Sequence, residues 1–238
     1  MQQEPLSSQL NFPEGYVLNV DKPLGWTSTD VVRKIKYTLE KLGFRRIKVG
    51  HAGTLDPLAS GVLVVCIGKA TKRAEELMCE RKEYVAEVML GASTVSHDLE
   101  HPVSALFPWE HITREAVEQA LRDLSGERLQ TPPVYSAKRM EGKRAYEYAR
   151  EGEQVEMRQA LINIYGMELV ECELPRIKIR VECSKGTYIR SLAHEIGERL
   201  ASDGYLASLR RTQSGDFRAE EAMELKKIVE ILSATKQS

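Results

Sequence analysis

Gly50-His51-Ala52-Gly53-Thr54-Leu55-Asp56-Pro57-Leu58-Ala59-Ser60-Gly61 is the stretch on which the reading of this 238-residue chain turns. Its three glycines permit positive φ angles and close backbone approach, so the segment is expected as a shaped loop. Pro57 biases Asp56 away from helical geometry and would hold its carboxylate on a stiffened turn. The apolar run Val62 to Ile67 follows at once and reads as a buried strand that anchors the loop. Taken alone, an Asp-Pro pair in such a setting is most simply a tight turn whose aspartate caps its own backbone. Only the rest of the chain can assign it more.

On the N-terminal side, residues 1–15 are polar, carry Pro5, Pro13 and Gly15, and read as a flexible tail. Tyr16 to Val20 is a short strand ending in the turn Asp21-Lys22-Pro23-Leu24-Gly25. Thr27 to Asp30 supplies N-cap candidates for a helix running to about Leu42. Its apolar stripe is Val31, Ile35, Leu39 and Leu42, and its other face carries Arg33, Lys34, Lys36 and Lys41. Arg45, Arg46 and Lys48 then lead into the Asp56 loop.

On the C-terminal side, Thr71 is expected to cap a short helix to about Glu80, and Tyr84 to Gly91 alternates as a strand. Residues 92–111 read as an irregular polar connection. Thr113 caps a helix over Arg114 to Ser125, with Ile112 and Val117 spaced as a hydrophobic staple. Pro132 and Pro133 make 131–139 extended. A turn at Gly142 and a short helix from Arg144 to Gly152 follow. The whole 131–156 region is basic and aromatic with little to bury, the composition of a functional loop or lid. Ile162 to Glu171 and Arg176 to Cys183 read as paired strands around Leu174-Pro175. After the turn Lys185-Gly186-Thr187 comes a helix striped by Ile189, Leu192, Ala193, Ile196 and Leu200. Residues 205–213 form a further strand, and Glu220 to Leu232 a terminal amphipathic helix. Strands often follow strands directly, so an α+β fold is expected: a mixed, mostly antiparallel sheet flanked by helices. The domain reading is a tail at 1–15, one domain at 16–218 and a C-terminal helix at 219–238.

Composition sets bounds. No apolar run approaches the roughly 18–20 residues that span a bilayer, and Met1 to Leu10 has no basic start before an apolar core. Cys66, Cys79, Cys172 and Cys183 are scattered without a C-x-x-C pair. They read as buried reduced thiols of a cytosolic protein, with no disulfide framework and no metal cluster. Net charge is −1, but it is unevenly spread: residues 22–50 hold eight Lys or Arg against two acids, and 176–190 hold five against one. A basic side on a near-neutral protein suits nucleic acid bound on one face; a solvated charged surface is the plain alternative.

Beside Asp56, the candidate groups are Tyr188 and Arg190 at a strand-to-helix junction, Lys22 after the first strand, and Tyr84 at the opening of the fourth. Singly, each has an ordinary structural reading: a rim tyrosine, an arginine paired with a nearby acid, a solvated lysine. The chain has no phosphate-loop, dinucleotide or zinc-protease motif, and its five histidines are dispersed.

Five blocks in order carry a resemblance. They are Leu18-Asn19-Val20-Asp21-Lys22-Pro23, the Gly50–Gly61 stretch, Lys82-Glu83-Tyr84, Pro133-Val134-Tyr135-Ser136-Ala137-Lys138, and Cys183-Ser184-Lys185-Gly186-Thr187-Tyr188-Ile189-Arg190. A sixth, Leu209-Arg210-Arg211, follows. With these the chain resembles the TruB family of tRNA pseudouridine synthases from about Gly15 to Thr212.

The resemblance implies the pseudouridine synthase fold with a thumb-like insertion at 131–156. It also implies isomerisation of the uridine at tRNA position 55, in the T loop, with no cofactor and no metal. Asp56 takes the place of the family's essential aspartate, and such a carboxylate is ordinarily ionised at neutral pH without an activating base. Arg190 would pair with Asp56 and favour its charged form. Tyr84 would stack on the extruded uracil. Tyr188 would lie near the base as the third catalytic group. His51 would fill space left in the T loop by flipped nucleotides, and Lys22 and Leu209 would form pocket wall. The basic helix, Arg45 and Arg46, and Lys138, Arg139, Lys143 and Arg144 of the thumb would contact RNA phosphates. The implied partner is the tRNA T stem-loop; no membrane and no obligate protein partner are expected, and a monomer is.

Two departures stand out. Where the family carries Thr-Asp-Thr before a further Asp, this chain has Thr94-Val95-Ser96-His97-Asp98, which puts contacts from that loop in question. The chain also reads as a short form without the C-terminal RNA-binding domain of many bacterial relatives. Two other readings compete with the stand-alone enzyme: a tRNA-binding folding factor with a minor catalytic role, and guided modification within an RNA–protein particle.

Overall fold

The computed structural model describes residues 11–136, 139–140, 143–144 and 157–234. The chain divides into two compact units, Met1–Tyr84 with Arg210–Ser238, and Val85–Leu209. Five α-helices and fourteen strands are described, with one parallel strand pair and several antiparallel ones. This is the mixed α+β class expected. Among the described residues no helix is long and apolar enough to cross a membrane.

The first unit opens on a 3-10 turn, Phe12–Glu14. Phe12 is buried with its ring edge-on to Tyr16 and Phe44, so the described end of the expected tail is docked into the core. Strand β1 (Tyr16–Lys22) leads to helix α1 (Ser28–Lys41). The cap is reciprocal: the Thr27 hydroxyl accepts from the Asp30 amide at 3.0 Å, and the Asp30 carboxylate accepts from the Thr27 amide at 3.1 Å. Val31, Ile35 and Leu39 are buried, while Arg33, Lys34, Lys36 and Lys41 face solvent, as the stripe requires.

Strands β2 (Val49–His51) and β3 (Ala59–Ile67) flank the Asp56 loop and pair with His51 opposite Val65. β3 also pairs with β1, from Tyr16–Ile67 to Lys22–Gly61. One face of β3 (Leu63, Val65, Ile67) packs with Leu18, Val20 and the α1 stripe; the other (Val62, Val64, Cys66) packs with Ala52, Ala70 and Leu77. A strand covered on both faces has no polar side to alternate, hence its unbroken apolar sequence. Burial pushes the Cys66 thiol up to about 11, and the four cysteines are outside any disulfide, with Cys79 exposed and Cys172 half-buried where burial was expected. Thr71 does not cap a helix. Its hydroxyl donates to the Gly68 carbonyl at 2.8 Å inside a 3-10 turn, Gly68–Arg73, and helix α2 (Ala74–Met78) follows. Strand β4 (Lys82–Leu90) alternates buried and half-buried along its whole length.

In the second unit, β5 (Ala92–Thr94) and β6 (Val103–Leu106) pair where an irregular connection was expected. β6 is exposed throughout, so no alternation could reveal it. Helix α3 (Arg114–Asp123) starts at the Thr113 cap, whose hydroxyl accepts from the Ala116 amide at 3.2 Å. Strand β7 (Gly126–Gln130) was not foreseen either; Glu127 and Leu129 are both exposed and blur its pattern. β8 (Arg139–Met140) and β9 (Lys143–Arg144) pair as a short hairpin, so Arg144 sits in a strand and not at a helix start. The rest of that expected helix, with Lys138 and Gly142, lies outside the described residues.

Strands β10 (Ala160–Glu173) and β11 (Arg176–Cys183) pair around the Leu174-Pro175 turn, and the local order is β4-β11-β10-β7. Ile177, Ile179, Val181 and Cys183 are buried, as their spacing predicts. Helix α4 (Ile189–Arg199) buries Ile189, Leu192, Ala193 and Ile196 and packs against α3, which also rests on β10. Strand β12 (Gly204–Ser214) then carries the chain back to the first unit.

There β13 (Phe217–Arg218) turns back on β12, and β14 (Met223–Glu224) lies parallel to β1, giving the order β14-β1-β3-β12. Helix α5 spans Leu225–Ala234, a shorter helix than the Glu220–Leu232 periodicity suggests. Ala219–Glu221 is a 3-10 turn, and β14 intervenes because Met223 pairs with Val20. Leu225, Ile228 and Leu232 complete the core beneath α1.

At Gly61 φ is +97°, and a Cβ would sit 2.2 Å from the Arg211 carbonyl oxygen. Gly61→Ala should therefore lower stability by more than about 2 kcal/mol, since backbone cannot yield as a side-chain tip can. A urea midpoint unchanged from wild type would contradict this packing.

Candidate active site

The segment between β2 and β3 holds no regular structure of its own, yet its carbonyls are taken one after another. The Gly53 carbonyl accepts from Arg211 Nη2 at 3.1 Å. The Leu55 carbonyl accepts from the Ser28 hydroxyl at 3.0 Å, and the same hydroxyl accepts from the Leu55 amide at 2.8 Å. The Pro57 carbonyl accepts from the Gly25 amide at 2.8 Å and, more weakly, from Lys22 Nζ at 3.5 Å. The Ala59 amide closes a turn on the Asp56 carbonyl at 3.0 Å, with Pro57 at the position where its fixed φ suits the turn. Asp56 is thus a half-buried carboxylate between two anchored neighbours, on a backbone with little freedom to move.

Two buried cations support this loop. Lys22 is 0% exposed, and its ammonium also donates to the carbonyls of Pro23 at 3.0 Å and Trp26 at 2.5 Å. Burial lowers its pKa to about 8; the Asp56 charge opposes that shift, and the Arg211 charge reinforces it. Arg211 is 1% exposed and donates from Nε to the Val62 carbonyl at 2.7 Å. His51, at the end of β2, is half-buried, with Nδ1 enclosed and unpartnered among the described residues. Burial, then the Arg211 charge, holds its imidazole below the usual range and so favours the neutral ring. Tyr84 is buried in β4. Lys22, His51, Asp56 and Tyr84 all belong to the first unit.

A separate cleft of about 610 Å³ opens in the same unit between α1 and α5. Trp26, Lys34 and Val229 line it, as does the bidentate pair of Arg210 with Asp21 at 2.9 and 3.0 Å. Neither His51, Asp56 nor Tyr84 reaches it; Lys22 borders it.

Tyr188, Arg190 and Leu209 belong to the second unit. Tyr188 precedes α4, and its backbone is clamped by the Gln130 side-chain amide. Gln130 Oε1 accepts from the Tyr188 amide at 2.8 Å, and Nε2 donates to the Tyr188 carbonyl at 3.2 Å. Gln130 also reaches Glu195, which pairs with Arg128 at 2.9 Å. Burial raises the Glu195 carboxyl, and the Arg128 charge opposes it. The Ser191 hydroxyl donates to the Thr131 carbonyl at 2.8 Å, a further tie on this first helical turn.

Arg190 is 4% exposed. Its Nη1 donates to the Ser96 carbonyl at 3.2 Å, and Nε lies 3.6 Å from Asp98 Oδ2. Asp98 Oδ1 accepts from the Ser96 hydroxyl at 2.6 Å and the Glu100 amide at 3.0 Å, and the Thr94 hydroxyl donates to the Asp98 carbonyl at 2.7 Å. The loop that departs from the family pattern therefore keeps an acid on an arginine, while Val95 turns outward at 54% exposure.

Leu209 is half-buried in β12, and Arg45 and Arg46 are exposed between α1 and β2. For Arg139, Lys143 and Arg144 only the hairpin backbone is described. Four contributors to these loops went unread in the sequence: Ser28, Arg211, Gln130 and Ser96. For Arg211 a signal existed, since Arg210-Arg211 lies in an alternating strand where one of the two must point inward. Ser28 was grouped with the helix caps. Gln130 and Ser96 gave no local signal, because Gln130 holds the distant Tyr188 backbone and the Ser96 carbonyl receives the distant Arg190 side chain.

Comparison with known proteins gives the class and then the family. Residues 40–189 match the family model described as TruB family pseudouridylate synthase (N terminal domain). Residues 190–238 match that described as tRNA pseudouridylate synthase B C-terminal domain, which takes in α4, β12 and α5. A protein of Phocaeicola vulgatus named tRNA pseudouridine synthase B is 55% identical over 94% of this chain and 95% of its own length. Its namesake in Flavobacterium johnsoniae is 45% identical over 89% and 93%. Among solved structures, a chain of a Cbf5-Nop10-Gar1 complex superposes with a TM-score of 0.71 at 31% identity; the match covers 96% of this chain and 60% of that longer one. An archaeal box H/ACA Nop10-Cbf5 complex gives 0.67 at 26%, over 99% and 64%. The fold is thus that of pseudouridine synthases. The chain belongs to the TruB family.

Lys22 gives this site a pH signature. Its folded pKa of about 8 lies below the ordinary 10.5, so between those values the unfolded chain binds more protons than the folded one. The Lys22 contribution to stability therefore rises as pH rises through that window and is least favourable below it. Urea titrations of wild type and Lys22→Met should diverge across it, with the upward slope smaller in the variant. Parallel pH profiles would contradict the buried ammonium.

Proposed function

We propose that the chain isomerises uridine to pseudouridine at position 55 in the T loop of tRNA, with Asp56 as the essential carboxylate. Membership of the TruB family and the named relatives support pseudouridine formation in tRNA. The observation that carries Asp56 is its place on a turn whose neighbouring carbonyls are fixed by Ser28, Gly25 and Lys22, with the Lys22 charge nearby. A preorganised carboxylate needs little reorganisation when charge develops at the sugar or the base.

The reaction balances without a redox partner or an external group. The N1–C1′ bond breaks, the uracil turns over within the site, and C5 bonds to C1′. The C5 proton leaves, and a proton is taken up at N1. In this reading Arg190 orients the Asp56 carboxylate. Tyr84 offers an aromatic face that offsets part of the cost of unstacking the base, and Tyr188 stands near the ring where the C5 proton must be handled. His51 meets the RNA from the same loop, Lys22 and Leu209 wall the pocket, and Arg45, Arg46 and the 131–156 insertion contact phosphates. The RNA partner is the T stem-loop of tRNA.

Tritium release from C5-labelled uridine in a naked T-arm stem-loop tests this directly. Wild type should release tritium without a guide RNA, and Asp56→Asn should abolish release while RNA affinity stays within about threefold. No release by wild type with or without guide RNA would leave only the folding-factor reading, and release only with guide RNA would favour a particle. Substantial turnover by Asp56→Asn would remove Asp56 from its role.

A further inference from the structure

Two histidines outside these roles lie next to the Arg190 contacts. His97 sits between Ser96 and Asp98, the two residues that receive the guanidinium. Its backbone is in the left-handed region at φ 58°, unusual for a residue with a side chain, and its carbonyl accepts from the Leu206 amide at 3.0 Å. Its ring packs on His194, with centroids 4.3 Å apart, and its Nδ1 is enclosed without a hydrogen-bond partner among the described residues. His194 lies four residues after Arg190 on α4, hence on the same helical face. His194 Nδ1 is 2.7 Å from Asp203 Oδ1, which also accepts from the Gly204 amide at 2.6 Å. The charged groups facing the pair are Arg190, Asp98, Asp203 and, 3.5 Å from His194 Nε2, Glu198.

We propose that His97 and His194 are positioning residues for Arg190: the packed imidazoles, tied to Asp203 at the foot of β12, hold the Ser96–Asp98 turn in the shape that receives the guanidinium. The pair touches no reacting atom in this account. It fixes a left-handed turn that the backbone alone would not prefer, and it does so with a neutral His97. Burial, then the nearby His194 and Arg190 charges, push the His97 imidazole down to about 4, while Asp203 and Asp98 pull the other way. A proton on His97 would set a cation beside Arg190 and weaken the turn. The inference rests on the reading of Arg190 as an orienting group for Asp56.

The test compares wild type with His97→Asn, His194→Ala and His194→Asn. Asparagine tolerates the left-handed backbone at 97, so the first variant removes the ring without adding backbone strain. An amide at 194 keeps a donor for Asp203. Single-turnover pseudouridine formation on T-arm RNA should fall about tenfold or more in His97→Asn and in His194→Ala. Affinity for the RNA should stay within about threefold, and His194→Asn should recover most of the rate.

A second readout is independent of activity. Hydrogen-exchange protection of the Leu206 amide should drop in the same two variants. In wild type it should drop as pH falls toward about 4, a dependence that His97→Asn should lack. Folded variants with wild-type rate and wild-type protection would overturn the proposal. A lower rate with unchanged protection would also overturn it, by moving the histidines into the chemistry. If wild type made no pseudouridine while the exchange results held, the packing would stand and the proposed reaction would fall.

Discussion

Between β2 and β3 the chain makes almost no hydrogen bonds to itself, and three alternate carbonyls, Gly53, Leu55 and Pro57, accept from side chains of other elements. Arg211, Ser28 and Lys22 supply those donors, and all three side chains are buried. Each donor has a reason to be where it is. Ser28 opens α1 beside the Thr27–Asp30 cap, Lys22 ends β1, and Arg211 is brought against Gly61 by a contact that no side chain at 61 would permit. The loop around Asp56 is therefore shaped by the sheet and helix that surround it. Its own glycines only allow that shape.

Burying two cations beside one loop has a cost, visible in the Lys22 pKa of about 8. The Asp56 charge offsets part of that cost by favouring the charged form of the buried lysine. The second unit uses a similar device on a smaller scale. The Arg190 guanidinium is 4% exposed and is met by one carbonyl and one carboxylate from a five-residue loop. That loop is fixed by its own hydroxyls, and Gln130 and Ser191 pin the helical turn that carries the arginine. In both units the side chains of interest are held by groups that are themselves held.

Much of the fold could be read from periodicity where one face is buried: the α1 stripe, the alternation of β4 and β11, the Thr113 cap. What could not be read are pairings whose residues face solvent. β6 is exposed along its length, and β7 shows Glu127 and Leu129 to water, so neither leaves a hydrophobic pattern. The α5 start was misplaced because Met223 serves a strand pair, a long-range contact that local periodicity does not encode. The candidate site divides in the same way. Asp56, Tyr188 and Arg190 came from long motif blocks and not from turn chemistry, which left Asp56 an ordinary Asp-Pro. Lys22 could pass for a solvated lysine until its burial was seen. Ser28 and Gln130 act on distant backbone groups, and the Ser96 carbonyl receives a distant side chain; those relations have no signature in sequence.

The central claim is that Asp56 meets the target nucleotide on a loop already shaped for it. A crystal structure with a T-arm stem-loop carrying 5-fluorouridine at the target position tests this most directly. The account predicts that the target base is extruded from the RNA and that its ring or sugar lies within about 4 Å of the Asp56 carboxylate. It also predicts that the Gly53, Leu55 and Pro57 carbonyls keep the same donors. A target base still stacked in the RNA, or extruded to a place remote from Asp56, would contradict it.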